Sequence, residues 1–179
     1  DERKMASAQI EGPAIRQADD RAAFAETVRR ALYAGKIIAY AQGFSLMQDA
    51  SERYGWNLDL GTIASIFRAG CIIQAVFLDD ITKAYEADSN AGNLMFHPFF
   101  RSRINEYQDS LRRAASTGVL NGLPVPALSQ AASYLDAFRS PASGANLIQA
   151  QRDCFGAHTY ERNDRPGSFH HEWRITDDN

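Results

Sequence analysis

The chain has 179 residues, of which 45% are hydrophobic and 23% are charged, and its formal net charge is −3. This balance predicts one folded domain with a substantial core, and it excludes an intrinsically disordered chain. The slight excess of acidic residues also excludes a basic field that would attract nucleic acid or an anionic membrane surface.

The two cysteines, Cys71 and Cys154, stand far apart and belong to no C-x-x-C motif. This spacing disfavours a disulfide scaffold or a cysteine zinc site, and reduced thiols are typical of a cytoplasmic protein. The charged opening is not followed by the apolar segment of a secretory signal. The longest stretch without a charged residue, 114–135, contains the turn residues Asn121 and Gly122, so no membrane span is predicted.

Hydrophobic periodicity predicts an all-α fold. Helices are expected over about 21–54, 59–87, 99–116, 126–139 and 145–155. The second of these is apolar on nearly all sides between Ile63 and Leu78, which predicts a central position in the core. Residues 1–18 are interpreted as a connector. Residues 158–179 cannot form a core of their own, so we expect them to lie over another surface.

Three cations, Lys36, Arg68 and Arg152, stand where the pattern predicts apolar surroundings, and a cation removed from water needs an anionic partner. Two interpretations stay open for each. One is an ordinary ion pair with a carboxylate, and the other is an anion site, since a guanidinium matches the geometry of phosphate. His158 lies six residues after Arg152, and a turn at Gly156 would allow both side chains to reach one ligand.

Two other patterns are weak or missing. His170, His171 and Glu172 are adjacent rather than at the spacing of metal ligands on a helix, so we predict no metal site there. The glycines form neither a G-x-G-x-x-G motif nor a P-loop, so the chain carries no dinucleotide-binding fingerprint of its own.

Several segments, in order and over nearly the whole chain, resemble decarboxylating 6-phosphogluconate dehydrogenase. They are 32–44 (LYAGKIIAYAQGF), 66–73 (IFRAGCII), 122–126 (GLPVP), 145–160 (ANLIQAQRDCFGAHTY) and 169–173 (FHHEW). The resemblance is to the later part of the family's all-helical C-terminal domain and to its tail. It implies a helical substrate-binding and dimerisation domain over 1–140, and a C-terminal arm over 141–179 that reaches the partner subunit.

The resemblance also implies an activity. The family oxidises the 3-hydroxyl of 6-phosphogluconate with NADP, and the resulting β-keto acid loses carbon dioxide to give ribulose 5-phosphate. The family's N-terminal Rossmann domain binds NADP, and a separate helix carries its lysine general base and glutamate general acid. Neither segment is present in this sequence. We therefore expect a part of a longer enzyme, inactive by itself, with no catalytic residue and no assigned NADP contact.

Two residues match the family's substrate site. Arg152 and His158 correspond to the tail residues that enter the partner's active site, which implies that Arg152 binds the substrate phosphate and His158 bonds the substrate nearby. The implied assembly is a homodimer with exchanged tails. Lys36 and Arg68 match no substrate residue and are interpreted as paired structural cations. Cys154 stands where the family usually has tyrosine, and residues 174–179 receive no role.

A second hypothesis is a non-catalytic helical module that serves dimerisation or partner binding. The feature that favours it is the Rossmann half that this sequence does not contain. The two hypotheses differ in whether the parent polypeptide contains that half.

Overall fold

A computed structural model describes residues 1–89 and 92–173, and the chain divides into two compact units, 1–135 and 136–179. The described elements are helices α1 (Glu2–Gln9), α2 (Arg21–Tyr54), α3 (Leu60–Ile66), α4 (Leu78–Ala87), α5 (Pro98–Leu120), α6 (Pro126–Phe138) and α7 (Ala145–Gly156), a 3₁₀ helix (Leu94–Phe96), and strands β1 (Tyr160–Glu161) and β2 (Ser168–Phe169). The all-α fold class predicted from the sequence is confirmed.

Helix α2 has the bounds that the sequence predicts. The Asp20 carboxylate accepts hydrogen bonds from the backbone N–H groups of Ala22 at 2.9 Å and Ala23 at 3.0 Å, which satisfies donors that the first turn leaves free. At the other end, Gly55 adopts a left-handed conformation with φ of 65° and ends the helix. Local capping chemistry therefore fixes both ends of this long helix.

The core of the first unit is built on α2. This helix packs chiefly against α5, and α3 packs against α4. Phe77 is fully buried at the centre, where its ring meets those of Tyr33, Tyr40 and Phe100 edge-on at 5.5, 5.3 and 6.1 Å. Such edge-to-face contacts add to the apolar burial of the rings. The other large buried side chains are Phe44, Ile37, Ile38, Leu78, Ile81 and Leu111.

The prediction of one central helix over 59–87 is wrong. Helix α3 ends at Ile66 and α4 begins at Leu78, and between them Gly70 has a left-handed φ of 69°. Several apolar side chains of this segment are exposed, with Ile72 at 101% and Val76 at 85%, whereas Phe77 at its end is buried in the core. Apolar residues continue at helical spacing between Ile66 and Leu78, but the chain leaves the helix there. The spacing therefore does not by itself show that a helix forms.

The other observed helices differ from the predicted ones only at their ends. Helix α5 continues to Leu120, four residues past the predicted Ser116, and α6 begins at the predicted Pro126. Proline suits the first turn of a helix because its missing N–H has no partner there. Helix α1 forms within 1–18, where the sequence analysis predicts only a connector.

The second unit contains α7 followed by a short hairpin. Strands β1 and β2 are antiparallel, with Tyr160 opposite Phe169 and Glu161 opposite Ser168. Gly167 has a φ of 118° in the connecting turn, a conformation that side chains disfavour. None of the helices formed by residues 1–89 and 92–173 combines the length and the apolar character needed to cross a lipid bilayer.

Candidate substrate-binding site on the C-terminal arm

Arg152 lies on α7 and is exposed. Its Nη1 donates a hydrogen bond to Gln149 Oε1 at 3.2 Å, one turn earlier on the same helix. Within the described part of the chain no carboxylate pairs with its guanidinium. The expectation that Arg152 has apolar surroundings is therefore wrong, and most of its donor groups face solvent.

His158 lies in the turn that follows α7, and it is exposed. The turn is made by Ala157 and Thr159, which have left-handed φ values of 48° and 62°. A left-handed conformation is costly for a β-branched residue such as threonine, about 1–3 kcal/mol, and it persists only when other contacts enforce it. The sequence predicts that Gly156 makes this turn, but Gly156 is the last helical residue instead.

Gly156 has a different role, because it makes room for the imidazole of His158. A Cβ at this position would lie 2.5 Å from His158 Nε2 and 2.7 Å from His158 Cδ2. The ring also packs edge-on against Phe155, with centroids 5.8 Å apart. The imidazole therefore rests against the end of α7, and Arg152 and His158 both belong to this end of the helix.

Asp153 holds this end of the arm together. Its Oδ1 accepts hydrogen bonds from the Thr159 N–H at 3.1 Å and from His170 Nδ1 at 2.8 Å. Its Oδ2 accepts from the His171 N–H and from Trp173 Nε1, both at 2.9 Å. These four donors use the acceptor capacity of an ionised carboxylate.

Asp153 is 0% exposed and is the only fully buried residue among the described residues of the arm. Burial alone would raise the pKa of the Asp153 carboxyl, but the hydrogen bonds from the returning segment lower that pKa by more, so it lies well below its ordinary value. An ionised carboxylate can only accept, so His170 Nδ1 carries a hydrogen and donates it to Asp153.

Sequence reasoning missed Asp153, although one signal was available. Asp153 lies in the last turn of α7, where the partial negative charge of the helix end disfavours another anion. A carboxylate at such a position requires compensating donors. The four donors described above supply them.

A cleft of about 470 Å³ adjoins this turn. Its lining includes Cys154, Phe155, His170, Glu172 and Trp173. The exposed Cys154 thiol therefore faces the segment that carries Trp173. A tyrosine ring, which the family resemblance leads us to expect at this position, would occupy more of this space.

The other two cations lie in the first unit. The guanidinium of Arg68 forms an ion pair with Asp79, which Lys83 also contacts at 3.0 Å. Lys36 Nζ donates to the backbone carbonyl of Gln74 at 3.2 Å. Both cations are exposed rather than surrounded by apolar side chains. The structure thus gives Arg68 and Lys36 local partners within the first unit.

Residues 1–89 and 92–173 contain no group of three or more histidine, cysteine or acidic side chains arranged to hold a metal ion. Of the adjacent histidines, His170 contacts Asp153 through its ring, and His171 through its backbone N–H. Residues 174–179, to which no role was assigned, lie outside the described residues.

A family model for the 6-phosphogluconate dehydrogenase C-terminal domain matches residues 1–173. The chain belongs to this family. Two curated relatives, the decarboxylating 6-phosphogluconate dehydrogenases of Klebsiella pneumoniae and Escherichia coli K12, are 52% and 53% identical to it over 173 residues. That alignment covers 97% of this chain and 37% of each relative, so the chain spans well under half of their length.

The fold agrees with that of a solved member of the family. The chain is similar to the Plasmodium falciparum 6-phosphogluconate dehydrogenase with a TM-score of 0.88 and 39% identity, over 96% of this chain and 37% of that one. That enzyme was solved in its apo form, in complex with its cofactor NADP⁺ and in complex with its substrate 6-phosphogluconate. The resemblance seen in the sequence is therefore confirmed at the level of family and fold.

Proposed function

We propose that this chain supplies substrate-phosphate binding and dimerisation to a decarboxylating, NADP-dependent 6-phosphogluconate dehydrogenase. In this proposal residues 1–140 form the helical body, and residues 141–179 form an arm that enters the active site of a second subunit. Arg152 binds the phosphate, and His158 donates a hydrogen bond to the substrate nearby. The observation that carries the proposal is the exposed guanidinium of Arg152, to which no carboxylate of the described residues is paired, on the helix whose end His158 packs against.

The composition of the arm supports a role outside its own unit. Among its described residues only Asp153 is fully buried, while Leu147, Ile148 and Phe155 are 75%, 57% and 69% exposed. Apolar side chains left in water on such a short segment favour burial against another protein surface. A two-fold exchange of arms between two copies would cover these side chains in both subunits at once.

In this proposal the chain contributes to substrate binding and not to hydride or proton transfer. Phosphate binding far from the reacting carbon contributes binding energy that orients the substrate, and this is the part that Arg152 and His158 supply. In a complete enzyme, NADP would supply the acceptor for the hydride that leaves C3. The glycines of this chain form no dinucleotide fingerprint, so we assign none of its residues to NADP and no proton-transfer step to its side chains.

A hybrid enzyme tests the proposal. It joins the N-terminal part of the Escherichia coli relative to this chain, which replaces the 173 residues that it matches. We expect the hybrid to oxidise 6-phosphogluconate with NADP at a kcat/KM within about tenfold of the Escherichia coli enzyme, a difference of about 1.4 kcal/mol. The measurement is NADPH formation in steady state.

The matched control is the same hybrid ended after Ser140, which lacks the arm and should lose turnover. A hybrid that is folded and dimeric by analytical ultracentrifugation, yet inactive, would contradict the enzymatic proposal and favour the non-catalytic module.

The Gly156→Ala substitution tests the position of the His158 side chain without weakening α7. The new Cβ displaces the imidazole, whereas alanine favours a helix by about 1 kcal/mol over glycine. We therefore expect kcat/KM of the hybrid to fall about two- to tenfold, the loss of one hydrogen bond of about 0.5–1.5 kcal/mol, while Tm holds or rises. Gly144→Ala is the control, because its Cβ meets nothing within 4 Å. A lower Tm with unchanged kcat/KM would argue against the role of His158.

A further inference from the structure

We infer that Asp153 is a positioning residue for the Arg152 and His158 pair, an inference that rests on the proposed function of these two side chains. Asp153 is fully buried, so its carboxylate does not reach a ligand on the surface of the arm. It acts through its neighbours in the chain. One neighbour is Arg152 itself, and its hydrogen-bond partner Thr159 is the neighbour of His158.

A short, closed turn connects the two substrate residues. The bond from the Thr159 N–H to Asp153 Oδ1 closes the turn of residues 153–159, with a further bond from the Ala157 N–H to the Asp153 carbonyl at 2.9 Å. Because the turn contains two non-glycine residues with left-handed φ, it needs such closure to persist. Its closure sets where the His158 backbone lies relative to α7.

The returning segment holds the same carboxylate from farther along the chain. His170, His171 and Trp173 donate to Asp153 across 17, 18 and 20 residues of sequence. The end of α7 is therefore held both by the turn that Thr159 closes and by the donors of the returning segment. Apolar packing does not replace this anchor, because no other residue among 141–173 is fully buried.

Exchange of the carboxylate for an amide would disturb this arrangement. Asp153→Asn keeps the shape but leaves one acceptor oxygen and introduces two donors, so some of the four donors lose their acceptor. Unpaired donors in a buried place are unfavourable, and the turn that they close is strained. We therefore expect the Asp153→Asn substitution to release the turn rather than to unfold the first unit.

The test is a double-mutant cycle in the hybrid enzyme. Asp153→Asn should lower kcat/KM about ten- to hundredfold, chiefly through KM for 6-phosphogluconate. In the Arg152→Ala/His158→Ala background the same change should lower it less than twofold, since the residues through which it acts are gone. Equal losses in both backgrounds would mean that Asp153 serves general stability, and they would overturn the inference.

Two further variants keep the test decisive. Asp164→Asn makes the same chemical change at an exposed carboxylate of the arm, which pairs with Arg162, and it should leave kcat/KM within twofold. Trp173→Phe removes one donor and keeps an aromatic ring, so it decides the matter if Asp153→Asn fails to fold. It should lower kcat/KM two- to fivefold with native Arg152 and His158, and less than twofold without them.

The outcome separates the two proposals. If Arg152→Ala and His158→Ala leave kcat/KM unchanged, the proposed function fails. If they lower it and Asp153→Asn then adds its full loss in their background, only the role of Asp153 fails.

Discussion

Replacing Arg152 with alanine in the hybrid enzyme is expected to lower kcat/KM for 6-phosphogluconate about ten- to hundredfold. A charged hydrogen bond contributes about 1.5–3 kcal/mol, and each 1.36 kcal/mol corresponds to a factor of ten. The change should leave Tm nearly unaltered, because Arg152 is exposed and its side chain makes one hydrogen bond among the described residues, to Gln149. Steady-state kinetics and thermal denaturation measure the two quantities.

Two companion variants sharpen this result. Arg152→Lys keeps the charge but loses the planar fork of donors, so it should recover only part of the lost kcat/KM. Arg162→Ala removes an arginine of the same arm that Asp164 already binds through both oxygens at 2.7 Å, and it should change kcat/KM less than twofold. An unchanged kcat/KM in Arg152→Ala would remove Arg152 from the substrate site.

Mixed dimers are expected to be far more active than either parent. One subunit carries Arg152→Ala, and the other lacks the general-base lysine in its N-terminal part. If arms are exchanged, one of the two sites combines an intact body with an intact arm, so the mixed dimer should have about half of the unmutated turnover, as the symmetry of a two-fold exchange requires. Differently tagged subunits, purified as heterodimers, allow the measurement.

The control for this experiment pairs Arg152→Ala with His158→Ala. Every site then receives an arm with one damaged residue, and no recovery is expected. If arms instead serve their own subunit, the first pair recovers nothing, because one subunit has a damaged arm and the other a damaged body. That outcome would contradict the exchange while leaving the substrate role of Arg152 open to the single-variant assay.

The sequence predicts the helices whose ends carry local chemical signals. Asp20 and Gly55 bound α2, and Pro126 begins α6, so the predicted and observed bounds agree. The prediction of a continuous helix between Ile66 and Leu78 is wrong, because apolar spacing alone does not reveal that the chain leaves the helix near Gly70.

The candidate site is predicted only in part. The family resemblance singles out Arg152 and His158, whereas the sequence signal at Asp153, a carboxylate in the last turn of a helix, does not show which donors it meets. Its partners are up to 20 residues away, and a single sequence does not show which distant donors a carboxylate meets. The tight fit of His158 over Gly156 likewise depends on the left-handed Ala157, which no propensity favours.

Because Asp153 is the one fully buried residue of the described arm, the stability of the arm should depend on temperature and on pH in different ways. Because few apolar side chains of the described arm are buried, its unfolding would change the heat capacity little, so its free energy of unfolding would vary almost linearly with temperature, without the curvature that an apolar core produces. Acid acts differently. Because the folded pKa of Asp153 is depressed, its contribution to stability is complete above the ordinary aspartate value and is lost as pH falls toward the lowered one. The stability of the arm is therefore expected to fall when the pH falls below the ordinary aspartate range.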